Sequence, residues 1–307
     1  MPSPSSRRLT KPRMAEPPGA EARTSAAAGA ATARALAESS VAASGWATAN
    51  PAVKPAARGP HRVVPIMGTV ISIDVRDPGI PESVIDAMLA CLEEIETRFS
   101  TYRPGSEISR IARGELAEAD ASAEVRFVLG MCDDLQRTTD GWFDARGHRA
   151  DGRLDPSGLV KGWAVEEAAL LLDEAGARNY SCNCGGDVIA RGEPEPGRPW
   201  RIGIRHPDRA DSVARVLAVR DLAVATSGAY ERGEHIRDPR TGRAPTGLLS
   251  VTVVGPSLTW ADVYATTAFA MGAAGPAWVA THPGYGALAI TADRRLAWTP
   301  IVEPLLA

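Results

Sequence analysis

The sequence predicts an α+β fold in which mostly antiparallel sheets are flanked by helices. Three observations carry that reading. Strand-like runs at residues 180–191, 200–205, 213–219 and 222–226 follow one another with no helical pattern between them, whereas a doubly wound sheet alternates strand and helix. Two long stretches, 81–99 and 122–139, instead show apolar residues at helical spacing, so each covers a sheet face. Residues 1–59 are rich in Ala, Pro, Ser and Arg and nearly devoid of large apolar side chains. Such a segment buries too little surface to offset its ordering entropy, so the sequence divides into a disordered 1–59 and a folded domain over 60–307.

The elements follow in order. Residues 62–75 alternate Ile71, Ile73 and Val75 with Val70, Ser72 and Asp74, the period of a half-buried strand, and Gly68 early in it suggests a bulge or a close approach. The 81–99 helix turns Val84, Met88, Leu92, Ile95 and Phe99 inward, and the loop from Ser100 to Gly105 presents Tyr102. A short helix over 106–113 stops at Gly114, and the 122–139 helix stops at Gly141. A further helix begins near Ser157, runs to about Ala175 and is closed by Gly176. Residues 180–191 read as strand, Gly185-Gly186 turn, strand. Another strand covers 249–254, then a helix from about Thr259 to Gly272, a short helix near 276–281 and a last hairpin, 287–291 with 296–298.

Composition narrows the function classes. The net charge of −3 over 307 residues offers no basic surface for nucleic acid and no acidic tail. No apolar run approaches the roughly 18–20 residues of a membrane-spanning helix, so no transmembrane segment is expected. Of the four cysteines, Cys182 and Cys184 are close, but Cys-Asn-Cys lacks the second ligand pair of a zinc site and would strain a disulfide. The expected location is the cytoplasm. The alternative is export, through the twin-arginine-like run Ser6-Arg7-Arg8-Leu9-Thr10-Lys11, though Glu16 and Glu21 interrupt the apolar region such a leader needs.

The suggestive chemistry is concentrated after the 222–226 strand. Thr226, Ser227 and Gly228 end it with hydroxyls and a glycine, which lets amides approach an anion. His235 stands three residues before the turn Asp238-Pro239-Arg240-Thr241-Gly242, where a proline presets the backbone and a glycine permits positive φ. A histidine beside a rigid turn is placed to take a proton near neutral pH, or it is a surface side chain on an ordinary hairpin. Asp262 and Thr266, four apart on one helical face, suit Mg²⁺ when backbone and phosphate oxygens complete the set. The plainer reading makes Thr259 a helix cap and Asp262 its capping-box partner. Asp155 and Lys161 flank a glycine-containing helix entrance, where amides and the positive helix end attract phosphate, or Ser157 simply caps that helix. Tyr102 could stack a flat ring or stand half-exposed, and Asn183 with Gly185, Gly186 and Asp187 could be no more than a turn.

Taken in order, Met67-Gly68-Thr69, residues 99–106, Asp155 through Lys161-Gly162-Trp163, Asn183-Cys184-Gly185-Gly186-Asp187, Thr226-Ser227-Gly228, His235 through Gly242, residues 250–253 and Ala261-Asp262 with Ala265-Thr266 resemble one family. It is the FAD:protein FMN transferases of the ApbE type, and the resemblance covers residues 62 to about 272. It implies a two-lobed α+β fold that binds FAD as substrate and Mg²⁺ as cofactor. The implied reaction is a post-translational flavinylation: FMN passes to a Thr or Ser hydroxyl of a target flavoprotein with an FMN-binding domain, and AMP leaves. Carried over residue by residue, it implies that Met67, Tyr102, Trp142, Phe143, Asp144, Asp155, Lys161 and Ile236 contact FAD. The Gly158 carbonyl, Asp262 and Thr266 would surround the metal, the Ala265 carbonyl being a fainter ligand, and His235 would be the catalytic base. The chain departs from the family between Asp144 and Asp155, where it is short and reads Ala145-Arg146-Gly147-His148 after the aromatics, which loosens the assignments of Trp142, Phe143 and Asp144. Two other readings use the same residues: an FAD pyrophosphatase with water as acceptor, and an FAD-binding protein without turnover.

Overall fold

The computed structural model describes residues 58–146, 153–209, 211–229 and 236–307. The disordered reading of the N-terminal segment therefore falls, up to residue 57, outside the described residues, and so does His235. Ten strands and six helices are labelled here in chain order among the described residues.

The first element departs from the expected one. Residues 61–75 are a hairpin, β1 (His61–Ile66) and β2 (Thr69–Val75), in place of the single strand the alternation predicts. Ile66 pairs with Thr69 across Met67 and Gly68, whose φ angles of 53° and 67° make a tight two-residue turn. Both central residues of such a turn need positive φ, which glycine takes freely and methionine only at a cost. Gly68 therefore marks a reversal of the chain, and the turn presents Met67.

Helix α1 (Glu82–Phe99) buries Ile85, Met88, Leu92, Ile95 and Phe99. Ser106 caps α2 (Glu107–Ala112) by accepting from the Ser109 amide, and Ser122 caps α3 (Ala123–Thr138) by accepting from Val125. After α4 (Ser157–Glu174) come β3 (Tyr180–Cys184), β4 (Asp187–Arg191), β5 (Trp200–Arg205), β6 (Val213–Val219), β7 (Leu222–Gly228) and β8 (Leu248–Gly255). Helices α5 (Leu258–Ala270) and α6 (Gly275–Val279) precede β9 (Gly286–Thr291) and β10 (Leu296–Trp298).

Eight strands form one antiparallel sheet in the order β1-β2-β3-β4-β7-β8-β9-β10, while β5 and β6 pair separately. The period of two along each strand divides the apolar residues between two cores. Ile189, Ala223, Ala225, Val251, Val253, Ala287 and Ala289 face the helices α1, α3, α4 and α5. Their neighbours Ala190, Val224, Val254, Leu288 and Ile290 face the opposite way and pack with Trp200, Ile204 and Leu217 of the β5–β6 hairpin. Helix α5 is apolar all round because it is enclosed on all sides, against β7, β8 and α4. Thr266 alone along its length is only partly buried; its other residues are all buried.

Cys182 and Cys184 lie fully buried on the helix face of β3 and carry thiols. Burial pushes the Cys182 thiol up to about 12, which leaves it inert.

Behind α5, His282 packs against Tyr264 and Trp278, with ring centroids 4.3 Å and 4.4 Å away. Burial holds its pKa below the ordinary histidine value. The unfolded chain consequently takes up a proton, as pH falls below about 6.5, that the folded chain resists. The thermal midpoint should fall as the pH is lowered from about 7 to about 5, and a His282→Gln variant should flatten that dependence. An unchanged slope in the variant would assign the acid sensitivity to other groups.

Candidate active site

A cavity of about 260 Å³ opens where the β1–β2 turn, the loop after α1, the start of α4, the end of β7 and the middle of α5 converge. Met67, Tyr102, Trp142, Phe143, Asp144, Asp155, Gly158, Lys161, Ile236, Asp262 and Thr266 all line it. The structure thus gathers these eleven residues around one space. Ala265 is fully buried and is not among the lining residues.

The apolar part of the wall is Met67, Phe99, Tyr102, Trp142, Phe143 and Ile236. Tyr102 stands 80 % exposed at its rim. Its loop is shaped by Ser100, whose Oγ accepts from the amides of Tyr102 and Arg103. The Arg103 guanidinium reaches back to Glu96, 2.9 Å away, and both line the cavity, an ion pair that no sequence motif signals. Trp142 lies under the Arg240 guanidinium, 4.3 Å from ring centroid to carbon, which joins it to the Asp238–Gly242 turn. That turn closes as its residues predict: the Asp238 carboxylate accepts from the Arg240 amide at 2.8 Å, its carbonyl accepts from Gly242, and Gly242 has φ 67°.

The polar part is built on helix ends. Asp155 accepts from the Ser157 amide at 3.0 Å, while the residue at the cap position, Pro156, has no side-chain acceptor to offer. The carboxylate therefore satisfies the first turn of α4, and Ser157 is not its cap. Helix α5 is capped twice over. Ser257 accepts from Trp260, and Glu166 of α4 accepts from Ser257 Oγ (2.7 Å) and from the amides of Leu258 and Thr259. An anion at a helix N-terminus is favoured by the amides it meets there. The capping-box reading of Thr259 with Asp262 is thereby overturned. Asp262, 2 % exposed, instead crosses to α4 and accepts the Gly162 amide at 3.0 Å.

That crossing needs the glycine at 162. A Cβ on Gly162 would lie 2.8 Å from the Leu258 carbonyl oxygen and 2.9 Å from Asp262 Cβ, so only hydrogen fits between α4 and α5. A Cβ on Gly158 would fill the space 3.4 Å from Thr266 Oγ1. Thr266 Oγ1 also lies 3.4 Å from Ser227 Oγ at the end of β7. Lys161 Nζ sits 2.5 Å from Asp187 and 3.9 Å from Asp262. Asp187 is therefore more than a turn residue, although Asn183 does close that turn on the Gly186 amide.

Among the described residues no cluster of three or more His, Cys, Asp or Glu has metal-binding geometry. The oxygen-bearing side chains at this end of the cavity are the buried Asp262 carboxylate and the Thr266 and Ser227 hydroxyls, with Gly158 in the adjoining wall. A hard, oxygen-seeking cation fits that set and a thiolate- or imidazole-seeking one does not.

The sequence profile of the ApbE family matches residues 67–150 and 145–289. The chain belongs to the ApbE family. An FAD:protein FMN transferase of Vibrio cholerae is 30 % identical in an alignment 274 positions long that covers 69 % of this chain and 81 % of that protein. Its namesake from Klebsiella pneumoniae is 33 % identical over 129 residues, 39 % of this chain and 37 % of the relative. The solved flavin transferase ApbE of Vibrio cholerae superposes with a TM-score of 0.69 at 27 % identity, covering 80 % of this chain and 98 % of that one. The α+β architecture is thus that of the ApbE family, and the departure between Asp144 and Asp155 does not displace the aromatics from the cavity wall.

Proposed function

We propose that this ApbE-family chain, a flavin transferase, moves FMN from FAD to a Thr or Ser hydroxyl of a target flavoprotein, with Mg²⁺ at the Asp262–Thr266 end of the cavity and AMP as the leaving product. The observation that carries this reading is the double character of one cavity. Met67, Tyr102, Trp142, Phe143 and Ile236 suit a flat ring system, and Lys161 and Ser227, with Asp262 and Thr266 for a divalent cation, suit a diphosphate.

In the reaction the acceptor oxygen attacks the FMN phosphorus, a new P–O ester bond forms, and the anhydride bond to AMP breaks. The acceptor proton must leave as the oxygen attacks, and a ring nitrogen of His235 takes it; such a base is worth about 10²–10⁴-fold. Lys161 supplies a fixed positive charge toward the diphosphate, and the ring walls hold the flavin so that its phosphate meets the acceptor. Bound at Asp262, Thr266 and the Gly158 carbonyl, Mg²⁺ would neutralise charge gathering on the leaving phosphate.

Mass spectrometry of an FMN-binding-domain acceptor tests this reading, with the acceptor incubated with the protein, FAD and Mg²⁺. The expected result is a covalent gain equal to an FMN phosphoester, lost without Mg²⁺ and reduced at least about 100-fold in rate by His235→Ala. FAD cleaved to FMN and AMP beside unmodified acceptors would favour the pyrophosphatase, and intact bound FAD a binding protein.

A further inference from the structure

Asp187 does not line the cavity, yet it holds two residues that do. It is 1 % exposed at the start of β4. Its Oδ2 lies 2.5 Å from Lys161 Nζ, and its Oδ1 accepts from the Thr226 amide at 3.1 Å. The carboxylate is therefore pinned between α4 and the end of β7. Lys161 Nζ also lies 3.9 Å from Oδ1 of Asp262. One ammonium stands between two buried carboxylates, and the nearer of them is the one outside the cavity.

A lysine ammonium is a point charge on a flexible stem, so it goes where the local field draws it. Were Asp187 neutral, Asp262 would become the stronger pull, and Lys161 would need to move only a short way to pair with it. An ammonium on Asp262 would compete with a divalent cation for the same oxygens. The geometry points to Asp187 as a positioning residue that holds Lys161 off Asp262, leaving Asp262 its negative charge for a cation and Lys161 its place in the cavity wall. This inference rests on the proposed cation role of Asp262 and Thr266.

Asp187→Asn is the variant to make, because its amide oxygen can still accept from Thr226 while its NH₂ group repels the ammonium. Mn²⁺ is the probe, titrated into the protein without FAD and followed by the magnetic resonance signal of the free ion. Asp187→Asn should weaken Mn²⁺ binding by about tenfold or more, the size of losing one favourable charge arrangement in a buried site. The double variant Lys161→Met/Asp187→Asn should return to within about threefold of the wild type, since the competing ammonium is gone. A residue that only supported the fold would give no such rescue. Lys161→Met alone should bind Mn²⁺ at least as tightly as the wild type, which tests the idea even if Asp187→Asn does not fold; thermal midpoints without metal report folding.

Wild-type affinity in Asp187→Asn, a double variant as weak as the single one, or weaker binding in Lys161→Met would each overturn the inference and leave the cation role standing. Failure of the wild type to bind Mn²⁺ would remove both.

Discussion

Replacing Asp262 by asparagine is expected to lower the rate of FMN transfer by on the order of 10²–10³-fold with the fold retained, the loss typical of removing one electrostatic contact to a developing charge. Asparagine keeps the shape of the side chain and an oxygen that can accept the Gly162 amide, 3.0 Å away in the native protein. The contact between α4 and α5 survives, and only the charge is lost. Asp262→Ala also removes that acceptor from the interface, so it should be equally inactive and additionally less stable. A buried hydrogen bond to a charged group is worth about 1.5–3 kcal/mol. Transfer rates by mass spectrometry and thermal midpoints, measured on both variants, separate the two contributions. An asparagine variant with wild-type kcat would show that the charge of Asp262 plays no part in the chemistry.

The second large effect is expected at Gly162. An alanine there sets a methyl group 2.8 Å from a backbone carbonyl and 2.9 Å from Asp262 Cβ, and neither can yield without parting two helices. Overpacking of this kind costs about 1–3 kcal/mol, and in a protein of this size that lowers the thermal midpoint by several degrees. The same methyl pushes against Asp262, so transfer should slow as well. Gly130 provides the control. It stands on α3 with nothing within 4 Å of the place a methyl group would take, and alanine there should stabilise by about 0.5–1 kcal/mol with no change in transfer. Equal midpoints for Gly162→Ala and the wild type would mean that α4 and α5 are not locked as closely as the distances indicate.

Much of this could be read along the chain. Ser106 and Ser122 announce their helices because a cap and the amide it serves lie within three residues. The strands at Tyr180–Cys184 and Asp187–Arg191 flank glycines at φ 60° and 98°, and the Asp238–Gly242 turn closes on its own side chains. Much of the candidate site was legible as a set of residues through the order of its short runs, which together resemble one family although each alone is a weak signal. Their assembly was not. The pattern over 61–75 alternates correctly on both sides of Met67-Gly68, and alternation alone cannot show that the chain reverses there.

What the sequence by itself determined is the α+β class, the faces of the helices, and the local caps and turns; its resemblance to the family marked part of the cavity wall. What only the tertiary structure decided is who serves whom. Glu166 caps a helix that begins 92 residues later, Gly162 donates to a carboxylate 100 residues away, and Lys161 is shared by Asp187 and Asp262. Periodicity reports which side of an element is apolar, because burial acts on each residue separately. Hydrogen bonds and ion pairs act between particular atoms at about 3 Å, and which atoms meet is known only once the helices have packed on the sheet.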